Sequence, residues 1–596
     1  MTNNRLLLCS VFGPYGVDDP YASAGGMQME LLNNQVTREQ GVHSPRVVGT
    51  FSYGLYLIAE NISVPTVVLD FPRWDDFVKE LRQGYSHVGI AFIIPNLHKV
   101  QRMTTYLREY YPGVKIILGG AGCVIPDVDK LVSYDAICHG EGIRWMRSYF
   151  REDSSRGIRH PAVTGRVAWY YYGNRVETIS SQIFPGVGCK NACSFCHTAH
   201  FFDRRYTPFI PDGRSMFELC RGEEKKYGVS AFSVIDENFL KTPQRAVELL
   251  REMEKEGKAY SFSIFSSAET IDRVGIDFLV RLGVNFVWIG LETKKSLYGK
   301  LKNIDLTKMV HDLRANGIRV LGSAILFLEH HDEESMQEDI DWAIAMKTDL
   351  LQFMLLCVIP GTALYEQYLK AKKLIEGYPP KRMTGQGDIW FRHPNFGAPD
   401  TAATIRDAFR KSYRVNGPST LRIIETVLRG YVKAKRDLEE RAERGLVWDP
   451  EQLRYVESRA PAQVRRDIFM EKRVESMKDM VLDYRRILPT IRVFAPNRAA
   501  RGKCHEVAKL YNRTFGRPSV AKRIESSVIL AVAAVEAARI ALRRLTGRGD
   551  IIRATPMRRT EFNMNDAEAS PCPVTTVIEK TSAELASPSA VPEPSN

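Results

Sequence analysis

The sequence predicts an α/β protein in which a doubly wound parallel sheet (residues 1–165) precedes an incomplete set of strand–helix units (166–400) and a helical region (401–550). Three observations carry this. Short apolar, β-branched runs alternate with longer amphipathic stretches through the first 400 residues, the pattern of parallel sheets covered by helices. Gly-rich turns follow several of these runs, where such sheets place their ligands. After 400 the strand-like runs give way to a charged helical pattern. Residues 551–596 are expected to form a disordered tail, because Ala, Ser, Pro and Glu dominate from about 561.

Composition excludes several classes. The 596 residues are 44% hydrophobic and 26% charged, which rules out a mostly disordered chain. Ten cysteines are present. Three cluster between 189 and 196 and seven are scattered, so no disulfide framework is indicated and a reducing, cytoplasmic setting is favoured. Arg5 precedes only a short apolar run ended by Gly13 and Pro14, which reads as a first strand rather than a signal peptide. No apolar run approaches the roughly 20 residues of a spanning helix.

In the first region, strands are expected at 6–12, 64–70, 87–92, 114–118 and 136–138, and helices at 53–60, 74–83 and 97–110. Gly119 and Gly120 follow the fourth strand, and Gly140, Glu141 and Gly142 the fifth. Residues 13–61 hold a long polar insertion of the kind that often covers a ligand cavity. In the second region, six strands are expected at 183–188, 231–236, 261–265, 286–291, 319–327 and 351–358, two short of a full barrel. Helices at 215–227, 242–256, 271–282, 306–316 and 335–346 separate them.

Cys189, Cys193 and Cys196 follow the first of these strands in a C-x3-C-x2-C array. Gly186 and Gly188 permit the tight loop that lets three thiolates converge. Thiolates are the soft ligands of iron–sulfur clusters, and three rather than four leave one iron open to a substrate or cofactor. A zinc knuckle is the competing reading. Zinc sites usually close with four ligands, commonly as paired C-x2-C units. His197 is a conceivable fourth ligand, but it directly follows Cys196.

The array resembles that of the radical S-adenosylmethionine (SAM) superfamily. The resemblance implies a partial (β/α)6 barrel and a [4Fe–4S] cluster on Cys189, Cys193 and Cys196. It also implies reductive cleavage of SAM, hydrogen abstraction from an unactivated carbon, and an electron donor such as flavodoxin or ferredoxin. Phe195 stands where relatives carry an aromatic residue near the adenine. Asp236, Glu237, Asn238 and Phe239 match a stretch that in relatives lies near the SAM amino group, which makes Glu237 and Asn238 candidate contacts. Gly290, Leu291, Glu292 and Thr293 match a second family turn, with Glu292 a polar contact to SAM. The plainer role for each acid is capping the helix after a strand. Residues 360–365 (Pro-Gly-Thr-Ala-Leu-Tyr) match a turn of the same subgroup. Tyr206, Tyr298 and Cys357 are possible hydrogen or proton donors. His330 and His331 read as a solvated loop in preference to a second metal site.

The first region resembles the cobalamin-binding-like, Rossmann-like domain found N-terminal to many of these enzymes, through Gly119, Gly120, Gly140 and Glu141. Its D-x-H-x-x-G signature is absent, because Ile137 occupies the aspartate position before His139. If cobalamin binds, the resemblance implies methyl transfer to carbon. Without it, coupling, cyclisation or rearrangement is expected. A non-catalytic cobalamin- or metal-dependent binding protein is the alternative from another class.

Of the formal net charge of +13, residues 501–560 carry +10, from 14 Lys and Arg against 4 Asp and Glu. Within them an apolar stretch from Val528 to Leu542 is flanked by Lys522, Arg523, Arg543 and Arg544. Two readings follow: a helix packed on the core with a solvated basic face, or one lying on an anionic membrane. The second makes a lipid substrate attractive beside an ordinary small molecule. Nucleic acid is not indicated, as no motif of that class appears.

Overall fold

The computed structural model describes residues 4–13, 52–161, 163–171, 174–191, 193–295, 301, 303–385, 387–458, 467–547 and 557–562. Most of the insertion at 13–61, Tyr298, Cys572 and nearly all of the expected tail lie outside them.

The first sheet contains β1 (Leu6–Ser10), β2 (Thr66–Asp70), β3 (His87–Ala91), β4 (Lys115–Gly119) and β5 (Ala136–Ile137), all parallel. Strand alternation divides their side chains between two cores. Leu7, Cys9, Val88 and Ile116 pack under the helices Trp74–Leu81 and Leu97–Tyr110. Leu6, Leu8 and Ile117 pack under Tyr53–Asn61 and Gly142–Tyr149. Both faces are covered, as a doubly wound sheet requires.

The second sheet has the order β14-β13-β12-β11-β10-β7-β6. Its members are β6 (Val163–Tyr171), β7 (Asn174–Ile183), β10 (Ala231–Val234), β11 (Ser261–Phe265), β12 (Val284–Glu292), β13 (Arg319–Leu326) and β14 (Leu350–Leu355). Six are parallel, and β6 pairs antiparallel along the edge of β7. Among the described residues β6 and β14 do not meet, so the barrel is open. The first parallel strand ends at Ile183, where 183–188 was expected. Residues 186–187 instead form a two-residue ribbon, β8 (Gly186–Val187) with β9 (Thr207–Pro208). The helix expected at 271–282 is broken at Gly275 into Ala268–Val274 and Ile276–Leu282.

Beyond the barrel lie the helices Thr401–Asn416, Ser419–Glu443, Ile468–Arg485, Leu488–Val493, Arg498–Phe515 and Val520–Leu545. An unexpected hairpin, β15 (Leu446–Asp449) and β16 (Arg454–Glu457), interrupts them. Two buried arginines latch this region to the barrel: Arg422 Nε donates to Thr348 O (2.8 Å) and Arg473 Nη2 to Val284 O (3.1 Å). Against the expectation of a tail from 551, β17 (Arg558–Phe562) pairs antiparallel with β2 at the edge of the first sheet. Composition hid it because only alternate residues, Arg558, Thr560 and Phe562, turn inward and are buried. Covering an exposed sheet edge removes a site of unwanted pairing.

The carboxyl ends of the two sheets face each other. A Cβ on Gly140, after β5, would sit 3.7 Å from the Phe201 carbonyl, just beyond the cysteine loop. One on Gly361, after β14, would sit 3.6 Å from Val124, beyond β4. No helix among the described residues is long and apolar enough to cross a membrane.

Candidate active site

The cysteine loop leaves β7 at Ile183 and is closed by backbone packing. Gly188 has φ +89°, and a Cβ there would fall 2.0 Å from the Arg205 carbonyl oxygen. A Cβ on Gly186 would fall 2.5 Å from Thr207 O. Only hydrogen side chains allow the returning segment to cross so closely. Within the loop, Cys196 N donates to Cys193 O (3.0 Å) and Asn191 N to Cys189 Sγ (3.5 Å). The 360–365 turn grips the loop from the sixth parallel strand, through Leu364 N donating to Ser194 O at 3.0 Å. Asn191 Nδ2 and Lys241 Nζ both donate to Glu269 Oε1, each at 3.2 Å, tying the loop to the ends of β10 and β11.

All three thiols are half-exposed. Burial pushes Cys189 up and Cys196 up to about 11, and the charges of Glu237 and the neighbouring cysteines add to both shifts. Crowded thiols facing a carboxylate resist ionisation until a cation is supplied, which suits a metal centre. Phe195 is partly buried against the barrel core.

The acids after β10 divide into two roles. Asp236 is buried and committed to structure. Its Oδ2 accepts from Arg245 Nη2 (2.9 Å) and the Tyr206 hydroxyl (2.6 Å), and Arg245 Nη1 donates to that hydroxyl (2.8 Å). Glu237, the next residue, points the other way. It is open to solvent yet walled by protein, the position of a group lining a concave site. Burial in that recess raises its carboxyl, the Asp236 charge raises it further, and a hydrogen bond with Thr198 opposes both. Asn238 is engaged at both ends of its amide: Nδ2 donates to Ser267 Oγ (2.7 Å), and Oδ1 accepts from Ser266 Oγ and Ser267 N, each at 3.2 Å. It braces β10 against β11. Glu292 is buried at a β-bulge at the end of β12, with φ +59°.

No family model matches the chain. Three curated proteins align with part of it. The bacteriochlorophyllide d C-8(2)-methyltransferase of Chlorobaculum tepidum is 26% identical over 318 residues, 48% of this chain and 68% of that protein. The anaerobic magnesium-protoporphyrin IX monomethyl ester cyclase of Rubrivivax gelatinosus is 23% identical over 324 residues, 47% and 58%. The cytidylyl-2-hydroxyethylphosphonate methyltransferase of Streptomyces wedmorensis is 24% identical over 217 residues, 34% and 39%. The radical SAM methyltransferase TsrM of Kitasatospora setae overlays with a TM-score of 0.43 at 15% identity, over 62% of this chain and 76% of that one. The curated relatives support a place in the radical SAM superfamily.

These relatives support an enzyme of that class. In a member of this superfamily the three thiols on one closed loop fit a [4Fe–4S] cluster with an open iron. Glu237 faces that loop from the next strand: it hydrogen-bonds with Thr198, and its charge acts on Cys189 and Cys196. The four N-terminal candidates are differently occupied. A Cβ on Gly120 would meet the Phe92 carbonyl at 2.7 Å, so this glycine serves internal packing. Gly119 abuts Cys138. Glu141 caps its own helix, accepting from Ile143 N (2.5 Å) and Arg144 N (3.2 Å). Gly140 faces the barrel, and His139 beside it is exposed.

Tyr206 belongs to the Asp236–Arg245 network. Cys357, at the end of β14, donates to Leu355 O (3.3 Å), and burial pushes its thiol up to about 12. His331 is fully buried, against the expectation of a solvated loop. Its Nδ1 accepts from Leu328 N (3.1 Å), so the ring proton sits on Nε2 and points to Asp339 Oδ2 (3.0 Å). His330, His331 and Asp339 bring ligand atoms within 4.8 Å of one another. With its proton on Nε2 and its Nδ1 lone pair taken, however, His331 has none to give a metal. Asp339 also accepts from Lys294 N (3.2 Å), so the pair props the turn that carries Glu292.

Sequence reasoning did not find Arg245, Ser266, Ser267 or Asp339. Arg245 lies nine residues after Asp236 on the next helix, and its pairing is visible only once the helix is seated.

Proposed function

We propose that this chain is a radical SAM C-methyltransferase acting on an unactivated carbon of a small, largely apolar or lipid-like molecule. The observation that carries the SAM site is Glu237 facing the three-cysteine loop. Two of the three aligned curated proteins are named methyltransferases, which favours methyl transfer as the outcome. When bound, the cluster supplies one-electron reductive cleavage of SAM, fed by a donor such as flavodoxin or ferredoxin.

This chain's residues do the rest. Gly186, Gly188 and the 360–365 turn hold the loop shut. Glu237 accepts from the SAM ammonium, a charge-assisted contact. The Asp236–Arg245–Tyr206 network fixes the strand end from which Glu237 projects. The His331–Asp339 pair does the same for Glu292. Water exclusion comes from the first domain, whose sheet end lies over the barrel mouth and so protects a radical from quenching. Cobalamin, if bound, would supply the methyl group, and Gly140, at the sheet end facing the cysteine loop, would be among the residues that hold it.

Anaerobic reconstituted protein with reductant should release 5′-deoxyadenosine, and Cys193→Ala should abolish release with the fold retained. Deuteriomethyl-SAM should pass its label to product, and cobalt should copurify when cobalamin is supplied. Glu237→Gln should raise the KM for SAM by roughly 10–100-fold, the value of one charged hydrogen bond of about 1.5–3 kcal/mol. An unchanged KM would remove Glu237 from the site. The aligned cyclase supports a second reading, in which 5′-deoxyadenosine appears but no product carries the label.

A further inference from the structure

We propose that the helix Val520–Leu545 docks this enzyme on an anionic membrane surface, lying in the headgroup plane rather than spanning it. At 100° per residue, Val520, Ile524, Val528, Val535, Leu542 and Leu545 fall within an arc of roughly 100°. That arc faces solvent: the six side chains are between 57% and 85% exposed. The opposite face makes the intramolecular contacts. Ala533 is fully buried, Glu536 nearly so, and Ala537 packs on the helical core. Asn174 Nδ2 donates to Ile529 O (3.1 Å), fastening the helix to β7. The helix therefore has two apolar sides, and the described residues cover only one.

Isolated exposed apolar residues need no explanation, but a continuous stripe about 39 Å long does. Charge identifies what covers it. On the helical wheel Arg523 borders one edge of the stripe and Arg539 the other, and both are exposed. The acids nearby, Glu525 and Glu536, are occupied by Lys522 and Arg539. Residues 501–560 as a whole carry +10. A second copy would bring two such segments face to face, whereas an anionic leaflet complements both the stripe and its cationic edges. The proposal does not rest on the reaction assigned above.

The test is sedimentation of the full-length holoenzyme with vesicles of phosphatidylcholine alone and of equal parts phosphatidylcholine and phosphatidylglycerol. Binding should be strong to the anionic vesicles, weak to the neutral ones, and reduced by salt. Val528→Glu with Val535→Glu should weaken it at least ~10-fold, because the stripe would carry two charges into the acyl boundary. Arg523→Gln with Arg539→Gln should weaken it by about five-fold per charge removed. Both variants should release 5′-deoxyadenosine at the wild-type rate. Absence of vesicle binding overturns the proposal, as does equal binding by the Val528→Glu, Val535→Glu protein. So does a dimer that these substitutions dissociate while vesicles go unbound.

Discussion

Replacing Arg245 by Met tests whether the strand end bearing Glu237 is held by a buried ion pair. Arg245 and Asp236 are 2% and 1% exposed at their side chains. The substitution removes the Nη2 donor at 2.9 Å from Asp236 and the Nη1 donor at 2.8 Å from Tyr206. The Asp236 carboxylate keeps the Tyr206 hydroxyl and Asn238 N but loses its counter-charge. Removing one partner of a buried pair costs about 3–5 kcal/mol. The two surviving hydrogen bonds place the expected loss near the lower end. With a urea dependence of roughly 2 kcal/mol per molar, the barrel transition should move down by about 1–2 M. Adding Asp236→Asn removes the stranded charge while an amide can still serve both neighbours, so the double variant should recover about 2 kcal/mol. Hydrogen exchange at 231–234 and 261–265 across a urea series would read the barrel's own opening energy. A single variant within about 0.5 kcal/mol of wild type would refute the reasoning, as would a double variant less stable than the single.

Three further outcomes are expected. Gly188→Ala must place a methyl group 2.0 Å from Arg205 O at φ +89°; iron content after reconstitution should collapse while the helical circular dichroism survives, and full loading would contradict the close crossing. Ending the chain at 556 removes β17, including the Arg559 pair with Glu80 at 2.8 and 3.0 Å. Amides of 66–70 should then exchange at least ~10-fold faster, and unchanged protection would make β17 dispensable. His160 Nε2 accepts from Phe184 N at 2.8 Å, and burial holds its pKa down at about 4. Its contribution to stability is complete above the free-imidazole value near 6.5 and is lost as pH falls towards 4. Melting temperature should therefore fall over that window, and His160→Asn should flatten the slope; an identical slope in the variant would exclude His160.

The sequence by itself determined much of this protein, wherever the signal is local. The strand–helix alternation, the parallel strands from β10 to β14 and the cysteine loop are set by runs and spacings of a few residues. Gly186 and Gly188 announced a tight loop before any partner was visible. Contacts distant in sequence were decided only by the tertiary structure. Asp236 and Glu237 are adjacent acids with the same local pattern. Arg245 and Tyr206 commit the first to structure, and the second is left facing the cysteine loop. His331 looked solvated because its neighbours are polar, yet Leu328 N and Asp339 bury it. β17 resembled tail because an edge strand needs only alternate inward residues, and β2, almost five hundred residues earlier, is what completes it. The helix 520–545 fitted two readings by composition. Packing decides between faces: the core takes Ala533 and Glu536, and no described residue covers the stripe from Val520 to Leu545.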